Sequence, residues 1–114
     1  MNTTEQNPAL NTGSVIYNVT TKVDKDIAEA WLHWLLNEHI PDLIQTKCFL
    51  GYRVVRLIEV DDSEGPTYAV QYFAESKSDY NRYIQMFAEQ MREKTYEKWG
   101  DRCIAFRSVM QVVQ

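Results

Sequence analysis

Cysteine, proline and glycine are scarce in this chain, at 2, 3 and 4 of its 114 residues. So little glycine and proline excludes a linker or a low-complexity segment. Cys48 and Cys103 stand far apart, without the paired spacing of a zinc or redox motif, and read as two reduced, partly buried thiols of a cytoplasmic protein. Basic charge is in deficit, with 12 Lys and Arg against 16 Asp and Glu, a net charge of −4 and a pI near 5.1. That balance argues against a phosphate-tracking nucleic-acid surface. No apolar run approaches the roughly 20 residues of a membrane helix, so no membrane partner is expected. The first residues, MNTTEQNPALNTGS, have neither a basic start nor an apolar run and do not read as a secretory signal. Without export, the Asn-x-Thr triplets at Asn2 and Asn18 carry no meaning as glycosylation sites. A Gly-rich phosphate loop and a nucleophile elbow are both missing. His33 and His39 are not aligned on one helix face, so neither a metal nor any other cofactor is expected.

What is present fits one globular domain: 45% apolar, 12% aromatic and 25% charged residues. Residues 1–14 read as a polar tail and 15–114 as a single domain. Val15–Val23 alternates as a strand, with Val15, Tyr17, Val19, Thr21 and Val23 on one face. Asp24 is a candidate N-cap for a helix whose stripe is Ile27, Ala28, Trp31, Leu32, Trp34 and Leu35. Pro41 should stop or kink that helix at Ile40, with a short helical turn over Asp42–Thr46. Phe49–Val60 reads as a long strand, turned by Asp61–Gly65 into a hairpin with Thr67–Ala74. Ser76, with Asp79 three residues on, caps a second helix whose Tyr80, Tyr83, Ile84, Phe87, Ala88 and Met91 recur at helical spacing. Gly100 suits a left-handed cap, and Arg102–Val113 is a last strand.

The order βαββαβ predicts an α+β, ferredoxin-like sandwich, a four-stranded antiparallel sheet with two helices on one face. The second face of such a sheet normally meets water and reads polar. Here the strands carry apolar residues at both odd and even positions: Leu50, Tyr52, Val54, Ile58 and Val60 against Phe49, Val55 and Leu57. The last strand repeats this with Ile104, Phe106, Met110 and Val112 against Cys103, Ala105, Val109 and Val113. Each buried Val or Leu is worth roughly 1.5–3 kcal/mol, so a bare face of them favours a second copy packed sheet to sheet, a two-fold dimer. Cover by long loops or by the N-terminal tail is the alternative.

Chemistry points first to Glu38-His39-Ile40-Pro41. Glu38 and His39 fall at the edges of the apolar stripe, near the expected helix end. Either His39 is an acid/base group tuned by Glu38 and the helix dipole, or it bonds the last helix carbonyls while Glu38 pairs an arginine of the sheet. Arg53, Arg56 and Arg107 each interrupt an apolar strand. Turned inward they would, with Asn18 and Gln71, recognise a carboxylate; turned outward they pair with Glu59 or Glu75. Tyr17, Trp31, Trp34, Tyr52, Tyr68, Tyr72 and Phe73 line an organic-ligand cavity or simply fill the core.

The stretches IYNVT (Ile16–Thr20), WLHWL (Trp31–Leu35), EHIP (Glu38–Pro41), GYR (Gly51–Arg53), GPTYAVQYFAES (Gly65–Ser76), GDR (Gly100–Arg102) and AFRSV (Ala105–Val109) resemble a bacterial family, the domain of unknown function 4286. The resemblance runs from Ser14 to Val113. The tail before Ser14 departs from it, because the family looks to start almost directly at the first strand. At superfamily level the chain is similar to the dimeric α/β barrels, which include cofactor-independent monooxygenases, lactone isomerases and haem-degrading enzymes. Fold analogy fixes no function. The expected protein is a cytoplasmic homodimer holding a small organic, anionic molecule in a cleft between helices and sheet, with Tyr17, Asn18, Trp34, Arg53, Arg56, Tyr68 and Arg107 as ligand contacts. The alternative is a cofactor-free enzyme of monooxygenase or isomerase type, with His39 as acid/base, Glu38 tuning it and an arginine or Tyr17 orienting the substrate. A purely structural dimer is the third.

Overall fold

The computed structural model describes residues 10–114. Most of the expected polar tail, residues 1–9, lies outside the described residues. The elements are β1 (Val15–Val23), α1 (Ala28–Trp34), a π-helical turn (Leu35–His39), α2 (Ile40–Gln45), β2 (Gly51–Arg56), β3 (Thr67–Ala74), α3 (Lys77–Met86), α4 (Ala88–Trp99), a 3-10 turn (Gly100–Arg102) and β4 (Cys103–Gln111). One antiparallel sheet has the order β2-β3-β1-β4, the ferredoxin-like arrangement predicted above.

Register assigns the faces. Tyr17 lies opposite Tyr72 and Val109, and Val19 opposite Val70 and Arg107. Val15, Tyr17, Thr21 and Val23 are buried, and Val15, Tyr17 and Val23 join Trp31, Trp34, Leu35, Leu43, Tyr83 and Met91 of the helices in one core. Tyr17 sits at its centre, with Phe49, Tyr72, Tyr80 and Tyr83 at ring distances of 6.1, 6.0, 5.5 and 5.7 Å.

Four local expectations need correction. The first helix begins at Ala28, because the Asp24 carboxylate accepts the Asp26 N–H in a tight turn rather than capping the helix. Pro41 does not stop it, although the helix departs from regular α geometry just ahead of the proline. The chain widens just before the proline, where the Ile40 N–H reaches the Leu35 carbonyl, and Pro41 enters the first turn of α2. A proline there lacks a donor and would crowd the carbonyl four residues back; the wider turn makes room. The helix after Ser76, whose hydroxyl does accept the Asp79 N–H, bends at Phe87 (φ −129°, ψ −27°). Tyr80 and Tyr83 thereby meet Tyr17 while Met91 reaches the cavity beside β4. Strand β2 ends at Arg56, since Glu59 takes a positive φ of 58° that no strand continues through.

The face away from the helices is not uniformly apolar. Two rows, Gly51–Phe73–Ile16–Met110 and Val55–Ala69–Thr20–Phe106, flank a polar row of Arg53–Gln71–Asn18–Ser108. Phe73 and Ala69 are buried, whereas Phe106 and Ile104 stand 67% and 58% exposed. Asn18 donates to Thr20 at 2.9 Å and to Ser108 at 3.4 Å, so the row is partly self-satisfied.

Candidate functional site

Between the helices and the β1–β4 half of the sheet lies a cavity of about 60 Å³. It is several-fold smaller than the 300 Å³ or so at which drug-sized sites begin, and offers room for several water-sized groups. Val19, Val70 and Ala105 form an apolar base, with Trp31, Trp34, Leu35 and Met91 above them. Tyr17, Tyr83, His39, Arg92, Thr95 and Arg107 bring polar atoms to the same space.

His39 owes its place to the widened turn. That turn lets its ring stack on Trp34 at 4.7 Å with 26° between planes. Neither ring nitrogen has a hydrogen-bond partner among the described residues. Burial drives the imidazole pKa down to about 4; Asp42 opposes this, and Arg107 and Lys94 reinforce it. At neutral pH His39 is therefore an uncharged ring with one donor and one acceptor. Because the helix runs on to Gln45, His39 neither ends it nor caps its carbonyls, which removes both the dipole argument and the capping alternative. Glu38 is exposed and outside the cavity; it borders a groove of about 360 Å³ behind His39, near the Lys94–Asp42 ion pair of 3.5 Å.

The expected ligand contacts divide. Tyr17, Trp34 and Arg107 line the cavity. Tyr68 lies on the same face but stacks on Trp31 at 5.7 Å instead of lining the space. Arg56 belongs to the far edge strand and pairs with Asp62 at 3.1 Å, neither with a ligand nor with Glu59 or Glu75. Asn18 and Arg53, with Gln71, share the polar row on the opposite face and take no part in the cavity. The three arginines thus occupy three different places, as an unknown register had left open.

Sequence reasoning missed Arg92, Thr95 and Tyr83 as site residues. Arg92 follows Ala88 by four and Thr95 follows Met91 by four, so the apolar stripe itself extends to them. The Arg92 guanidinium donates to the Tyr17 hydroxyl at 3.4 Å, a bond that raises its pKa. Burial raises the Tyr83 hydroxyl likewise.

Charge is distributed unevenly. Arg56, Arg82 and Arg102 each meet a carboxylate, while Arg92 and Arg107 form no ion pair among the described residues. Among the described residues, no Asp or Glu lines the cavity. In a chain of net charge −4, the charged side chains among those lining the cavity are arginines, while Glu89, Glu93 and Glu97 flank Arg92 on the outer surface. Among the described residues, no group of three or more His, Cys, Asp or Glu can hold a metal, and no helix is long and apolar enough to cross a membrane.

A dimeric ferredoxin-like protein from an uncultured marine organism superposes with a TM-score of 0.67 at 10% identity, over 89% of this chain and 96% of its own. A candidate monooxygenase from Shewanella loihica PV-4 gives 0.52 at 16% identity, over 91% and 98%. At such identities the likeness is one of fold. None of the curated proteins matches the chain. The model of one family, described as "Domain of unknown function (DUF4286)", matches residues 14–113, nearly the whole of the domain built above, and the chain belongs to that family.

Proposed function

We propose that this protein is a cytoplasmic homodimer, joined through the open sheet face, in which each copy holds a small organic anion at the cavity beside His39. One observation carries the ligand: Arg92 and Arg107, both without a carboxylate partner among the described residues, line a cavity to which no Asp or Glu of the described residues contributes. Both arginines are exposed, so they form its mouth, and the anionic head sits in reach of solvent while the remainder points inward. The 60 Å³ available limits the inner part to a few non-hydrogen atoms. Support for the dimer comes from Phe106, Ile104, Met110 and Val55, all exposed on one side of the sheet. The solved neighbour described as dimeric points the same way. The thiols of Cys48 and Cys103 are free, in keeping with a reducing cytoplasm.

The test is calorimetric titration of the purified protein with acetate, butyrate, phosphate and chloride, its mass followed by light scattering. Carboxylate binding that Arg107→Met weakens about tenfold or more supports the anion site. Carboxylates that fail to bind, or bind the variant equally, overturn it. A single-chain mass at micromolar concentration overturns the dimer.

The second reading is cofactor-free catalysis. Its support is His39, whose unbonded, neutral ring borders the cavity as a general base must. Turnover by the wild type, lost in His39→Gln while carboxylate binding persists, would favour it over binding alone.

A further inference from the structure

His39 stands in a wall between two spaces. It and Trp34, their rings stacked at 4.7 Å, line the inner cavity and also border the groove of about 360 Å³ outside it. No other described residue borders both. Of the pair only the imidazole can gain a proton. Neither of its ring nitrogens has a hydrogen-bond partner among the described residues, so a proton gained there breaks no existing bond.

The two sides differ in charge. Facing the groove are Glu38 and Asp42 of the same helical run and Lys94, Glu97 and Lys98 of α4. Asp42 favours the charged ring, and Lys94, 3.5 Å from the Asp42 carboxylate, opposes it. Facing the cavity are Arg92 of α4 and Arg107 of β4, while Tyr17 of β1 and Tyr83 of α3 bring only hydroxyls. Burial does most to keep the ring neutral, and Arg107 is the stronger of the two cations that add to it. An anion on Arg107 cancels that repulsion, so the ring holds a proton more readily. We propose that the cavity takes its anion together with a proton, which His39 receives from solvent in the groove and holds opposite the bound charge. This rests on the anion site proposed above and assigns that site's regulation to the imidazole. In net terms the protein takes up an acid, its anion on the arginines and its proton on His39. Coupling of this kind is reciprocal: whatever the anion does for the proton, the proton does for the anion.

Methanesulfonate keeps its charge throughout the range and is the probe, titrated calorimetrically at pH 7.5 and pH 4.5. With the ring at about 4 in the free protein, a rise of about one unit on binding makes the anion about threefold tighter at the lower pH. Most of that gain should disappear in His39→Gln. Should that variant fail to fold, the two histidines of the wild type decide. Saturating methanesulfonate should raise the NMR titration midpoint of His39 by about one unit and leave that of His33, which is exposed and lines neither space. A flat affinity, a gain that His39→Gln retains, or a His39 midpoint unmoved by the bound anion would overturn the inference and leave the anion site standing. No binding at either pH, or binding indifferent to Arg107→Met, would instead remove the anion site itself.

Discussion

On the helix-covered side of the sheet Tyr17 and Tyr72 are 3% and 1% exposed; on the side behind, Phe106 is 67% exposed, although all three belong to the same alternating pattern of strands. The difference lies in the cover and not in the residues. β4 shows it best: as an edge strand it carries apolar side chains on both sides and is the least buried strand on either. Where the helices end over β4, the covered face opens into the arginine-lined mouth. Where no helix exists, Phe106 and Ile104 on β4 stand exposed, although Phe73 and Ala69 on the central strand β3 are already buried. The covered face is thus specialised by what the helices leave uncovered, and the open face by the polar row that interrupts it.

The sharpest test of that contrast is truncation on each side. Tyr72→Ala removes a buried ring packed on Tyr17 and Phe49 and should cost about 3–5 kcal/mol in urea unfolding. Phe106→Ala, measured at a dilution where the protein is a single chain, should cost within about 0.5 kcal/mol. Comparable losses would mean that the open face already has its cover within one chain, and the contrast would break.

Much of this contrast was legible in the chain. Strand alternation gave Tyr17 its face, and the Ser76–Asp79 spacing its cap, because both depend on local geometry alone. The arginine-lined mouth was half legible. Arg107 stands out inside an apolar strand, whereas Arg92, although it continues the apolar stripe four residues beyond Ala88, is masked by the other charges of its helix. Which of Arg53, Arg56 and Arg107 share a face depends on pairing across strands distant in sequence. The bend at Phe87 and the wide turn before Pro41 arise when helices fit a sheet, a tertiary demand that propensity does not encode. The helix end expected near His39 is absent, because the widened turn carries the helix past it.

Acid offers a second, smaller probe of the covered side. The imidazole of His39 titrates near 6.5 when unfolded and at about 4 in the folded chain, depressed by burial with Arg107 and Lys94 adding and Asp42 opposing. Between those values the unfolded chain holds the extra proton. Stability is therefore full above about pH 6.5 and falls toward pH 4 by up to about 1.4 kcal/mol per pH unit. His39→Gln should flatten that slope by one proton's worth in urea midpoints taken from pH 7.5 to 4.5. Parallel curves for the two proteins would place His39 in solvent and detach it from the cavity. The strand residues of the open face include no histidine, so acid should trouble the covered side first.

The polar row sets the smallest effect and the finest distinction. Arg53, Gln71, Asn18 and Ser108 lie in one line across the open face, between two apolar rows. On a bare sheet such a row is hydrated and nearly neutral in energy. Between two sheets any polar group of the row not already bonded within its own chain, as Asn18 is to Thr20 and Ser108, must find a partner on the other copy, since burial without a hydrogen bond costs more than the bond is worth. The row then fixes how one copy is set against the other, a task that greasy contacts alone perform poorly. Ser108→Ala truncates its exposed outer end. The unfolding midpoint of the dilute single chain should hold within about 0.5 kcal/mol, while the dimer should weaken by about 1 kcal/mol, roughly fivefold in dissociation constant. A dissociation constant that does not move would put the row outside the contact and leave Phe106, Ile104 and Met110 to hold the copies together by themselves.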